Sequence, residues 1–290
     1  MKIPYIQKRF SEKRLATLEM ANKIIAEYQA QGFELTLRQL YYQFVARGLI
    51  ANNDREYENL GTAINDGRLA GIISWDAIVD RTRNLRSNSH WSGPRSIVEA
   101  CAQQFQIDKW ETQPRRLEVW IEKDALVGVI EAPCKRNDIG FFSCRGYVSQ
   151  SEMHAAALRL KAYEAEDQET FIIHLGDHDP SGIDMSRDIQ DRLSLFGAQT
   201  IVQRVALNMH QVEKYNPPPN PAKLSDCRAE GYIKKFGKHS WELDALEPRV
   251  IDSLVESEIK KHRDDRLWRA ALKVESEHKQ TLQDAAEEMD

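Results

Sequence analysis

Cysteine is scarce in this chain: 290 residues hold four, Cys101, Cys134, Cys144 and Cys227, with no Cys-x-x-Cys pair. That spacing argues against a zinc site and a disulfide framework, and fits a reducing compartment. Long apolar runs are missing too. Phe171-Ile172-Ile173 is typical, far short of the roughly 20 residues a membrane span needs. The opening Met1-Lys2-Ile3-Pro4-Tyr5 lacks the apolar core of a secretory signal, so a cytoplasmic setting without a membrane partner is expected. There is no Gly-rich phosphate loop, hence no ATPase, and no internal repeat or low-complexity tract. A strong charge of either sign is also lacking: 40 Lys+Arg against 45 Asp+Glu gives −5, which by itself argues mildly against nucleic acid.

The division of that charge is more informative than its sum. Residues 1–116 carry 17 basic and 13 acidic side chains, whereas residues 117–290 carry 23 and 32. Opposite signs in two halves fit two domains with different tasks, although surface charge also drifts at little cost. With 41% apolar residues, the chain can build one large core or two ordinary ones.

The first half reads as helices. Leu15, Leu18, Ala21, Ile24, Ile25 and Tyr28 recur at helical spacing up to Gly32. Thr36 followed by Gln39 is a capping box, and its helix runs to Arg47, before Gly48. A third helix is predicted over 54–69, with Tyr57, Leu60, Ala63 and Ile64 inward, and a small hairpin over the stretch from Ile72 that carries Arg81, Arg83 and Arg86. Three short helices and a hairpin are the order of a winged helix. Another helix starts at Ser92-Gly93-Pro94, and Glu111-Thr112-Gln113-Pro114 reads as a linker.

Beyond residue 116 the pattern alternates. Strands are predicted at Leu117–Ile121, Gly140–Cys144, Thr170–Leu175 and Ile201–Leu207, with helices between them. That alternation argues for a parallel sheet with crossover helices, which does its chemistry at the carboxyl ends of the strands. After Pro217-Pro218-Pro219 a loop-rich region and one long charged helix over 247–288 are expected. Domain limits follow at 1–110, 111–210 and 211–290.

Carboxylates stand at the chemically useful positions. Glu122 ends the first strand, and Gly176-Asp177-His178-Asp179-Pro180 ends the third. Three hard oxygen ligands with open positions suit Mg²⁺ or Mn²⁺, and without a cation such a cluster repels itself. Ser181-Gly182 then opens a helix whose N-terminus favours a phosphate. Three other readings stay open: an EF-hand loop ending at Asp188, a nucleophilic Asp after a strand, and two Asp residues that merely cap a helix. Glu242 and Asp244 add ligands or, more simply, form an acidic cap before the last helix. Lys223, Asp226 and Arg228 form a phosphate-facing loop or a solvated one.

In the second helix Leu37, Leu40, Tyr41, Phe44 and Val45 form the core stripe. Tyr42 falls outside it, one turn from Arg38. A phenol beside a guanidinium is placed to meet a phosphate, with Arg38 stabilising charge and Tyr42 as nucleophile. The alternative is a boundary tyrosine that packs its ring and wets its hydroxyl.

Arg38-Gln39-Leu40-Tyr41-Tyr42 resembles the Arg-x-x-Tyr-Tyr element of the A subunit of DNA topoisomerase VI and the related meiotic double-strand-break protein. Glu122 and Asp177-His178-Asp179-Pro180-Ser181-Gly182 resemble the two motifs of that family's Toprim domain. The likeness spans residues 35–207 and keeps the family's order; in length the chain is closer to the stand-alone "mini-A" proteins of bacteria and mobile elements. It implies an α/β chain in which an all-helical, winged-helix-like DNA-binding domain precedes a Toprim parallel-sheet domain and a C-terminal helical extension. It also implies Tyr42 and Arg38 as catalytic residues, Glu122, Asp177 and Asp179 as Mg²⁺ (or Mn²⁺) ligands, and Arg81, Arg83 and Arg86 on DNA phosphates. The implied partners are double-stranded DNA, a second copy of the chain and, in some members, a separate ATPase subunit. Since such chains also resemble the Toprim subunit of the Wadjet plasmid-defence system, which cuts DNA hydrolytically, covalent and hydrolytic cleavage both remain open, as does a DNA-binding subunit that needs a separate ATPase partner.

Overall fold

Helices begin where the sequence supplies caps. In the computed structural model, which describes residues 2–79 and 88–289, the Ser11 hydroxyl accepts from the Arg14 amide and caps α1 (Glu12–Gln29). Thr36 and Gln39 close the expected reciprocal capping box at the head of α2 (Leu37–Ala46), and Asn53 caps α3 (Asp54–Leu69). Leu18, Ile24, Leu40, Phe44, Leu60 and Ile64 from these helices meet in one core. The fourth helix of this half is α4 (Pro94–Gln104), with Pro at its start.

The predicted hairpin is not formed by its described part. Both the Ile72 and Ile73 amides donate to the Gly67 carbonyl and so finish α3 instead of entering a strand. Trp75–Ala77 is a single 3-10 turn, and Ile78 makes one bridge to Leu35. Arg81, Arg83 and Arg86 lie outside the described residues.

The second half is an α/β unit. Strands β1 (Arg115–Ile121), β2 (Gly140–Ser143), β3 (Glu169–Leu175) and β4 (Ile201–Ala206) form a wholly parallel sheet in the order β2-β1-β3-β4. Helices α5 (Val127–Arg136), α6 (Gln150–Ala165) and α7 (Pro180–Leu195) make the crossovers, as parallel pairing requires. Apolar side chains cover both faces of the sheet. Val119, Ile121, Ile173 and Leu175 join the cluster that includes α5 residues, while Trp120 and Ile172 join that of α6 and α7. Because α7 begins at Pro180, residues 180–188 are helical, which removes the EF-hand reading.

The last third holds more regular structure than its prolines implied. It contains α8 (Met209–Tyr215), α9 (Ala229–Phe236) and a two-stranded antiparallel pair, β5 (Asn220–Pro221) with β6 (His239–Ser240). Nor is the C-terminal helix continuous. It divides into α10 (Pro248–His262) and α11 (Asp265–Glu287), because Arg263 is extended and the Asp264 side chain accepts from the Arg266 and Leu267 amides to start a new helix. Gln113 fixes this break: its side chain donates to the Asp264 carbonyl (3.0 Å) and accepts from the Asp264 amide (2.7 Å). Helix α10 packs on α5 and the sheet, whereas α11 turns back onto α4.

Candidate active site

The site forms where β1 and β3 end. Past Ile121, the Glu122 amide donates to the Leu175 carbonyl, so Glu122 stays registered beside the turn that follows β3. Its carboxylate then accepts from the Asp177 amide at 2.8 Å. Two glycines permit this approach. A Cβ on Gly176 would lie 2.9 Å from Glu122 Oε2, and one on Gly182 would lie 2.2 Å from the Asp177 carbonyl oxygen. The turn itself is wrapped around Arg204 of β4, a buried guanidinium that donates to the carbonyls of Gly176 (2.9 Å), Asp177 (2.6 Å), Gly182 (2.8 Å) and Leu207 (3.1 Å). A lone arginine inside the apolar run Ile201–Leu207 was the available signal for this role.

The two aspartates do different work. Asp179 caps α7, accepting from the Gly182 amide (2.6 Å) and the Ser181 hydroxyl (3.0 Å), so the capping reading holds for this residue. Asp177 is buried; its Oδ1 accepts from the Leu243 amide (2.8 Å) and its Oδ2 pairs with Lys123 (2.9 Å). His178 turns away, its Nδ1 2.7 Å from the Tyr232 hydroxyl, and its backbone pairs with Trp241. That bridge brings residues 241–244 beside the aspartates.

Glu242 and Asp244 are consequently not a helix cap but part of the site. Glu242 Oε2 lies 2.8 Å from Arg38 Nη2 and 2.7 Å from Lys123 Nζ. Asp244, wholly buried, lies 3.1 Å from Arg38 Nε and 3.1 Å from Lys123 Nζ. Lys123 escaped the sequence reading, although its signal was plain: a cation directly after a strand-end carboxylate. Ala245 reaches the core of α1–α3, so this segment is the seam between the two halves.

Tyr42 and Arg38 are neighbours, as their spacing predicts, with the guanidinium carbon 5.9 Å from the ring centre. Tyr42 is nevertheless only 3% exposed, and its ring packs edge-on against Tyr41 at 5.2 Å. The flaw in the stripe argument is that 241–246 covers the second face of α2, so both tyrosines are inside. Burial first, then the Asp244 and Glu242 charges, push the pKa of the Tyr42 hydroxyl up. Of the other predicted loop residues, Arg228 pairs with Asp184 (2.9 Å) and Asp226 (2.8 Å), while Lys223 lines the cleft described next.

A cleft of about 360 Å³ opens over this assembly. It is lined by Arg38, Tyr42, Asn52 and Tyr57 from the first half of the chain and by Asp177, Asp179, Trp241 and Glu242 from the second. No protein-family model and no curated protein matches this chain.

Carboxylates outnumber cations at this site: Glu122, Asp177, Asp179, Glu242 and Asp244 stand against Arg38, Lys123 and Arg204. Burial, then Glu122 and Asp244, drive the Asp177 pKa up to about 7 against the pull of Lys123. Burial, then Asp179, also raises that of Glu122. Burial opposes the charge on Lys123 and on Arg38, but Asp244 and its acidic neighbours outweigh it and raise both. Among the described residues no group of three or more His, Cys, Asp or Glu side chains is arranged to hold an ion. The donor chemistry still suits one: Glu122, Asp177 and Asp179 offer hard oxygens on one turn and the adjoining strand end, and the charges of the first two are poorly compensated.

Proposed function

We propose that the chain is a metal-dependent DNA-cleaving enzyme of the topoisomerase VI A type, in which Tyr42 attacks a backbone phosphate. The observation that carries this reading is that one cleft is lined by Arg38 and Tyr42 together with Asp177 and Asp179. A phosphodiester lying there meets a nucleophile, a guanidinium and hard carboxylates at once. The Tyr42 oxygen bonds to phosphorus, the bond to the 3′-oxygen breaks, and in net terms the phenolic proton ends on that oxygen. Arg38 stabilises the charge on the phosphorane. Glu122, Asp177 and Asp179 are the residues that would hold Mg²⁺ or Mn²⁺, whose chemistry when bound is to stabilise the departing oxygen. The basic half, with Arg81, Arg83 and Arg86, would contact flanking phosphates, and a homodimer would cut both strands.

A second reading keeps the metal site and removes the covalent step. It is favoured by Tyr42 being buried, with its hydroxyl held well above its ordinary pKa by burial and the Asp244 and Glu242 charges. Plasmid DNA with Mg²⁺ separates the two. Tyr42→Phe is expected to abolish both cleavage and the protein–DNA adduct trapped by denaturant. Full cleavage by that variant without any adduct would leave hydrolysis standing and remove transesterification.

A further inference from the structure

Glu242 sits in an unusual seat for a carboxylate beside three others. One of its oxygens lies between the ends of Arg38 (2.8 Å) and Lys123 (2.7 Å), and Tyr42 lines the same cleft. Its other oxygen accepts from Asn220 Nδ2 at 3.2 Å, and Asn220 is in turn held by Asn52 at 2.5 Å. Two cations converging on one carboxylate oxygen, with an amide on the other and a tyrosine in the same cleft, suit a phosphodiester, whose two non-bridging oxygens and single charge match a carboxylate.

We propose that Arg38, Lys123 and the Tyr42 hydroxyl form a phosphate pocket that Glu242 fills in the resting chain, and that a substrate phosphate enters by displacing it. The idea rests on the DNA-cleaving reading and adds Lys123 as a phosphate contact and Glu242 as a self-blocking group. Charge supports the exchange. Arg38 and Lys123 face Glu242, Asp244 and Asp177; swapping one monoanion for another leaves that balance unchanged, so neither cation is stranded.

Burial shows which carboxylate moves. Asp244 has no exposed side-chain surface and touches both cations, so it stays as their fixed counter-ion. The Glu242 side chain is 24% exposed and lines the cleft, and the Asn220–Asn52 pair gives it a polar seat there. While Glu242 remains in place it fills the seat beside Tyr42, and the phosphate that displaces it comes to lie against the nucleophile.

The test uses the full-length chain in EDTA, with a short labelled DNA duplex and, separately, inorganic phosphate as probes. Glu242→Gln keeps shape and removes charge. It is expected to bind the duplex about tenfold tighter than wild type, with a salt slope steeper by about 0.9, because no displaced carboxylate takes up a counter-ion. Inorganic phosphate should raise the melting temperature of Glu242→Gln more than that of wild type. Adding Lys123→Met should cancel both gains, which a merely structural ion pair would not explain. Glu242→Asp, which keeps the charge but withdraws it by one methylene, should give a smaller gain and serves if the amide variant folds poorly. Unchanged duplex and phosphate binding in both Glu242 variants overturns the pocket and leaves the DNA reading intact. A gain for phosphate with no duplex binding by any form keeps the pocket and removes DNA as the substrate.

Discussion

His174 shows how a single side chain couples this fold to pH. It lies on β3 with no solvent exposure, its Nδ1 2.8 Å from the Ser186 hydroxyl of α7, and it pairs in register with Arg204 on β4. Burial, then the Arg204 charge, lower its pKa to about 3. A histidine depressed in the folded state stabilises fully above its unfolded value of about 6.5, and that contribution is lost as pH falls from there toward 3. The loss should reach about 2 kcal/mol at pH 5. Urea melts at pH 7 and pH 5 should show it for wild type, and His174→Gln should lose this part of the slope. An identical pH dependence in the two proteins would mean that another group carries it. The residue needs this position because its ring sits under the turn that presents Asp177, where a charged imidazolium would lie beside Arg204.

At the scale of elements, caps and registers decide where the site residues stand. The Thr36–Gln39 capping box opens α2, and Arg38 lies inside that first turn. Thr36→Ala should cost about 1 kcal/mol of stability. It should also loosen Arg38 from Glu242, so urea melts and the DNA affinity of the variant should both shift; a change in neither would show that tertiary packing alone fixes α2. This box was legible in the sequence, as were the four strands, their parallel order and the carboxylates at their ends, because caps and periodicities are local. The break at Asp264 was not, since it depends on Gln113 from 151 positions earlier. Pairing of Arg38 with Glu242 spans 204 positions, and periodicity says nothing at that range. Tyr42 was misplaced for the same reason: a helix with one polar-looking face is read as half-exposed, and the segment that covers it arrives from the other end of the chain.

For the whole molecule, the site is also the joint. Arg38 and Tyr42 belong to the basic half, with 17 basic against 13 acidic residues, and Glu122, Asp177, Glu242 and Asp244 to the acidic one, with 23 against 32. Lys123 ties the strand ends to residues 242–244, and those in turn tie to α2. A divalent ion taken up by Glu122, Asp177 and Asp179 would therefore brace the sheet against this seam, and binding to the folded chain alone must raise stability by mass action. At a hundred times its dissociation constant the gain is about 2.7 kcal/mol, a rise in melting temperature of roughly 4 °C for a chain of this size. Calorimetry in EDTA and in rising Mg²⁺ should show it. Asp177→Asn should abolish the dependence on Mg²⁺ while still melting cooperatively, because its amide can keep the contact with the Leu243 amide and no longer needs Lys123. Equal melting with and without Mg²⁺ in wild type would remove the metal from this site. A shift of the same size in Asp177→Asn would assign the ion to other carboxylates, with Glu242 and Asp244 the nearest to try.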